Sequence, residues 1–229
     1  MGTGVWSPTE ALGFAWNLIM KNFAGVALPI TVGVVVVVLP VYVVAFAMGL
    51  VTGVAAQYID PRFMGVFQIL IQIVVGFMFL LVGSFIAGGV VEFALKTVRG
   101  QSPAFGEVFG GAKYYGSMFV GVLGFYVAIA IGMLLCVVPG YIVEFGLWPF
   151  AFVIVDQRLS GIDALKKAWE MTNGKKLTIF VFALLCLLVY LAGVLACGIG
   201  ALLVSMPMIV LASAHMYLSF KGEPPRLQV

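Results

Sequence analysis

Ser160–Gly174 reads SGIDALKKAWEMTNG and lies between two long uncharged runs. It carries an acid near a serine cap, a tryptophan suited to the headgroup region and lysines at 166 and 167, with Lys175 and Lys176 directly after it. Those features describe a helix lying in a membrane interface. The composition around it agrees. Hydrophobic residues make up 63% of the 229 positions, charged residues 9%, and the mean hydropathy is +1.19. A soluble domain needs roughly 25% charge to cover its surface, so the chain reads as an integral membrane protein. A net charge of +3 gives no reason to expect a nucleic-acid partner.

An echo of this segment opens the chain. In Ser7–Asn22, SPTEALGFAWNLIMKN, Ser7 fits an N-cap, Pro8 the first helical position and Glu10 the third. Glu10, Asn17 and Lys21 form a narrow polar stripe on an apolar body. Laying Ser7 on Ser160 aligns Ala11 with Ala164, Leu12 with Leu165, Ala15 with Ala168 and Trp16 with Trp169, and sets Glu10 on Asp163. Ser102-Pro103 begins a third, more degenerate copy whose polar side is Glu107 and Lys113. Duplication accounts for this register, although any interfacial helix wants a cap, an acid and a tryptophan.

Between these segments lie runs long enough to cross a ~30 Å hydrocarbon core. The expected spans are 26–56, with Pro29 and Pro40 bending it, 64–91, 117–138, a short 141–155 after a break at Pro139-Gly140, 177–197 and 201–219. The expected interfacial helices are 7–22, 103–115 and 160–174. Cys197-Gly198-Ile199-Gly200 serves as a reversal, and 221–229 as a flexible tail. The expected fold is therefore all-α and polytopic: six transmembrane helices in three hairpins, each preceded by an amphipathic interfacial helix. Six spans put both termini on one side. Every lysine and arginine except Arg62 then shares that side, which the positive-inside rule makes cytoplasmic.

The pattern RGQSP at 99–103, Pro139-Gly140, WPFAFVIVD at 148–156 and SGIDALKKAWEMTNG at 160–174 resembles a bacterial family. It is the six-span membrane domain attached to some glycerophosphodiester phosphodiesterases, together with the similar YciC-type integral membrane proteins. The resemblance implies a six-span fold in the bacterial inner membrane and offers no catalytic residues to carry over.

Candidate site residues are few. Trp16, Lys21, Lys166, Lys167, Trp169, Lys175 and Lys176 are candidate lipid-headgroup contacts, each cation adding about 1 kcal/mol near an anionic leaflet; obeying the positive-inside rule would also explain them. Glu144 is the one acid inside an expected span, a candidate intramembrane site for protons or cations. Glu92 and Asp156 read as interface partners of Lys or Arg, His215 as a packing residue, and Cys136, Cys186 and Cys197 as small buried hydrophobes. The GxxxG at Gly49–Gly53 fits close helix packing, within the chain or in a homo-oligomer. Phosphate-loop, zinc, serine-hydrolase and dinucleotide motifs are lacking, so neither enzyme chemistry nor a cofactor is expected. The reading is a non-catalytic membrane protein that organises or senses lipid or scaffolds a protein partner. The alternative is a transporter or channel with its site near Pro139-Gly140 and Glu144. An enzyme acting on lipid is suggested only by the family resemblance.

Overall fold

A computed structural model describes residues 7–196 and 198–223. The described chain is entirely helical, and six of its helical stretches are long and apolar enough to cross a membrane. Helix α1 is Pro8–Lys21. The six stretches are α2 (Phe23–Ala55), α3 (Pro61–Val98), a 3₁₀ segment (Phe105–Tyr114) continued by α4 (Tyr115–Leu135), α5 (Val137–Leu147) followed by α6 (Phe150–Gln157), α8 (Lys176–Leu195), and a π-helical turn (Ala201–Ser205) leading into α9 (Met206–Lys221). Helix α7 is Gly161–Thr172.

Local chemistry sets these boundaries. The Ser7 hydroxyl accepts from the Glu10 N–H at 3.2 Å and the Ser160 hydroxyl from the Asp163 N–H at 3.3 Å, so the two aligned caps share one geometry. The aligned alanines Ala11, Ala15, Ala164 and Ala168 are all fully buried, while Trp16 and Trp169 stay 45% and 38% exposed. The third copy departs from the expectation. Ser102-Pro103 does not cap it; the segment starts at Phe105, and the Glu107 carboxylate reaches back to the Ala104 N–H at 2.9 Å. Gly106, Gly110 and Gly111 disfavour an α-helix there, and the tighter 3₁₀ winding runs directly into α4.

Other spans also differ from their expected limits. Helix α2 is unbroken through Pro29 and Pro40, as membrane helices tolerate. Helix α3 continues to Val98 instead of stopping at Val91, because Glu92 and Lys96 are neutralised by partners described below. The break between the third and fourth spans is at Cys136, which is extended and exposed, and not at Pro139-Gly140, which sits in the first turn of α5. Cys136 is thus no buried hydrophobe; Cys186 is buried, and Cys197, with its part in the expected reversal, lies outside the described residues. The expected tail 221–229 is described only to Glu223, and Lys221 still belongs to α9.

The fourth span runs over Val137–Gln157, longer than 141–155, and is interrupted at Trp148-Pro149. Pro149 has no N–H to give and its ring clashes with the preceding turn, which ends α5. The break spoils hydrogen bonding around Gly146, and the buried Thr172 hydroxyl of α7 donates to the Gly146 carbonyl at 2.7 Å. The π turn is served similarly: the Thr31 hydroxyl donates to the Leu202 carbonyl at 3.0 Å.

Packing follows a rotation of order. Helix α1 rests chiefly on α9 and α8, the 3₁₀ segment chiefly on α3 and then α2, and α7 on α4, α6 and α5. Each of these segments therefore packs on the pair of spans before it in the chain, and α1, having none before it, packs on the last pair. The spans themselves repeat the pattern: α2 touches α9, α4 touches α3, and α8 touches α5.

Candidate functional site

The C-terminal ends of α3, α6 and α9 meet in a charged cluster. Asp156, its side chain only 5% exposed, accepts from Arg99 Nη2 at 2.5 Å, from Lys221 Nζ at 2.8 Å and from the Tyr217 hydroxyl at 2.8 Å. Glu223 takes a second bond from Arg99 at 2.9 Å and one from Lys221 at 2.6 Å. Gln157 donates to the Tyr217 oxygen at 3.2 Å, and the Tyr217 ring stacks on Phe152. Two acids and two cations thus close one neutral network across three spans.

A second network joins α3 to the 3₁₀ segment. Both Glu92 oxygens lie 2.7 Å from Lys113 Nζ, Lys96 pairs with Glu92 at 3.1 Å, and Lys96 also pairs with Glu107. Sequence reasoning placed Glu92 and Asp156 beside basic residues but did not name them; Lys96 is four residues from Glu92 on the same helix, whereas Lys113, Arg99 and Lys221 come from other segments.

Glu223 lies beyond the last span. Hydrogen bonds from Lys221 and then Arg99 hold its carboxyl below the ordinary value of 4.5. A depressed carboxyl stabilises the fold above its unfolded pKa and ceases to do so as pH falls through the folded one. Glu223→Gln is therefore expected to melt below the wild type near neutral pH, with the gap closing in acid once the pH has fallen below the folded-state value. Melting curves of both proteins at neutral and acid pH check this, and an undiminished gap in acid would contradict it.

The lysines and tryptophans singled out by sequence fall into two sets. On α7 and the start of α8, Lys176 Nζ lies 3.6 Å from the Trp169 ring centre and Lys175 Nζ lies 4.3 Å from that of Phe220. Lys167 pairs with Glu170 at 3.1 Å, and Lys166 is exposed with no described acid beside it. The Trp169 ring also covers Gly146, whose missing side chain makes the room. Trp16 and Lys21 are on α1; Trp16 is exposed, and Lys21 borders a cavity of about 300 Å³ with Asn22, Gln101 and Ser102.

Glu144 stands two turns into α5, about 12 Å along the helix from Cys136. It is half-buried, and no described residue pairs with its carboxylate. It lines neither the Lys21 cavity, nor the apolar groove of about 720 Å³ between α3 and α4, nor a smaller cavity beside Arg158. His215 packs its ring 4.8 Å from that of Phe14, but its Nδ1 is buried without a hydrogen-bond partner, so it packs without the hydrogen bond expected of such a histidine. Among the described residues no cluster of His, Cys, Asp and Glu has the makings of a metal site.

These features define a class: an all-helical protein with six membrane-crossing candidates, knit together at one end by ion pairs. Set against known family models, characterised proteins and solved structures, the chain matches none of them.

Proposed function

We propose that the chain is a non-catalytic protein of the bacterial cytoplasmic membrane, with both termini on the cytoplasmic side, that engages anionic lipid through its charged end. In this reading it is built from three units, each an interfacial segment leading into a transmembrane hairpin. The rotated packing order supports the units, since a ring of three equivalent parts gives each leading segment the same kind of neighbour. The matched caps, buried alanines and exposed tryptophans of α1 and α7 support it independently. A six-span relative of the phosphodiesterase-linked membrane domain would have this topology.

The observation that carries the lipid reading is the corner between α7 and α8. There Lys176 over Trp169 and Lys175 over Phe220 set two cations on aromatic rings, next to the exposed Lys166 and Lys167. Aromatic rings at the headgroup level with lysines beside them suit an anionic leaflet. The Lys166→Ala/Lys167→Ala/Lys175→Ala triple variant of the full chain is expected to lose most of the thermal stabilisation that phosphatidylglycerol gives over phosphatidylcholine in nanodiscs. Equal stabilisation of the variant and the wild type would remove this reading. The transporter reading draws on Glu144 alone.

A further inference from the structure

Helices α3, α6 and α9 end alike, with a residue in the left-handed region directly after or one beyond the helix. At α3 it is Gly100 (φ 76°) and at α9 Gly222 (φ 81°), but at α6 it is Arg158 (φ 52°), the only non-glycine with positive φ among the described residues. Glycine adopts this conformation freely and an arginine does so against steric resistance. A glycine would end α6 at least as well, so the backbone gives no reason for arginine at this place. The side chain does.

Arg158 borders a cavity of about 110 Å³, together with Lys113, Tyr114 and Ser117. The volume is enough for one tetrahedral oxyanion. Lys113 is already neutralised by Glu92, whereas no described acid pairs with Arg158. The uncompensated charge at the cavity is therefore the guanidinium, whose planar fork matches two oxygens of a phosphate. Ser117 adds a hydroxyl donor, and Lys113 Nζ keeps a proton to share. Both ion-pair networks near this end are neutral, so they do not cancel this charge.

We propose that Arg158, with Lys113 and Ser117, binds a phosphate oxyanion, supplied either by a membrane-lipid headgroup or as free phosphate. The site uses none of the α7 lysines, so it stands or falls separately from the lipid contact proposed above.

The test uses the full chain in a neutral detergent, comparing wild type, Arg158→Gly and Arg158→Lys by thermal unfolding. One arm adds inorganic phosphate against chloride at equal ionic strength; the other adds phosphatidylglycerol against phosphatidylcholine in mixed micelles, with all three proteins carrying Lys166→Ala, Lys167→Ala and Lys175→Ala so that the α7 contact does not contribute. The wild-type midpoint is expected to rise by about 3 °C with a saturating anion. Arg158→Gly should show no rise, while its midpoint without ligand equals or exceeds that of the wild type because the backbone is relieved. Arg158→Lys should retain part of the rise, as a point charge without the fork. A response to the lipid alone identifies a headgroup as the source, a response to phosphate alone a free anion, and a response to both a site open to either. The proposal is overturned if the wild type responds to neither, or if Arg158→Gly responds as the wild type does. An unliganded Arg158→Gly that melts below the wild type would make the arginine structural, and would overturn it too.

Discussion

Asp156→Ala is expected to cost about 3–5 kcal/mol of stability, the range for removing one member of a buried ion pair. The carboxylate is almost wholly buried and holds Arg99, Lys221 and Tyr217 at once, so its loss strands two cations that Glu223 alone must then serve. Three spans meet at this point, and the damage should spread to all of them. Asp156→Asn keeps an acceptor for Tyr217 but gives up the charge, and its loss should be smaller. Thermal or denaturant unfolding of the purified variants measures both. A midpoint for Asp156→Ala indistinguishable from wild type would mean that the cluster does not hold the spans together.

The second large effect is expected at Gly89 and Gly111, where α3 and the 3₁₀ segment touch backbone to backbone. A Cβ at Gly89 would overlap the Val108 carbonyl, and one at Gly111 the Phe85 carbonyl. A backbone carbonyl cannot rotate aside as a side chain can, so Gly89→Ala and Gly111→Ala should each cost at least the ~1–3 kcal/mol typical of overpacking. They should also part Lys113 from Glu92 and Lys96 from Glu107. Gly65→Ala is the control, since nothing lies within 4 Å of the added carbon. Comparable yields of folded protein for all three variants in detergent would refute this packing.

Five of the six spans were legible because an uncharged run of about twenty or more residues has few other fates; the fourth, which holds Glu144, was read only as a short stretch between Pro139-Gly140 and Asp156. The paired segments Ser7–Lys21 and Ser160–Thr172 were legible for a different reason: a cap, an acid and two alanines four residues apart leave a fixed spacing in sequence. What could not be read was decided across the chain. Pro139-Gly140 looked like a break but begins a helix, where proline is tolerated, while Pro149 looked unremarkable and interrupts one. The glycines that disfavour an α-helix over Phe105–Tyr114 were visible, but the segment's seat against Gly88 and Gly89 is a contact that local sequence does not announce. Of the expected site residues, Lys175, Lys176 and Trp169 are gathered at one corner and Trp16 and Lys21 stand on another helix. Arg158 was passed over because its distinction is a backbone angle, and composition carries no trace of that.

The account rests on a chain that crosses the membrane with its charged end on one side and the turn between α2 and α3 on the other. Cysteine labelling tests this most directly, with Tyr58→Cys and Asn173→Cys made singly in a background where Cys136, Cys186 and Cys197 are replaced by alanine. Tyr58 is 83% exposed in the turn after α2, and Asn173 is exposed at the end of α7. A membrane-impermeant maleimide applied to intact cells should label the cysteine at 58, and should reach the one at 173 only after the membrane is permeabilised. Labelling of both positions from the outside, or of 173 alone, would contradict the account.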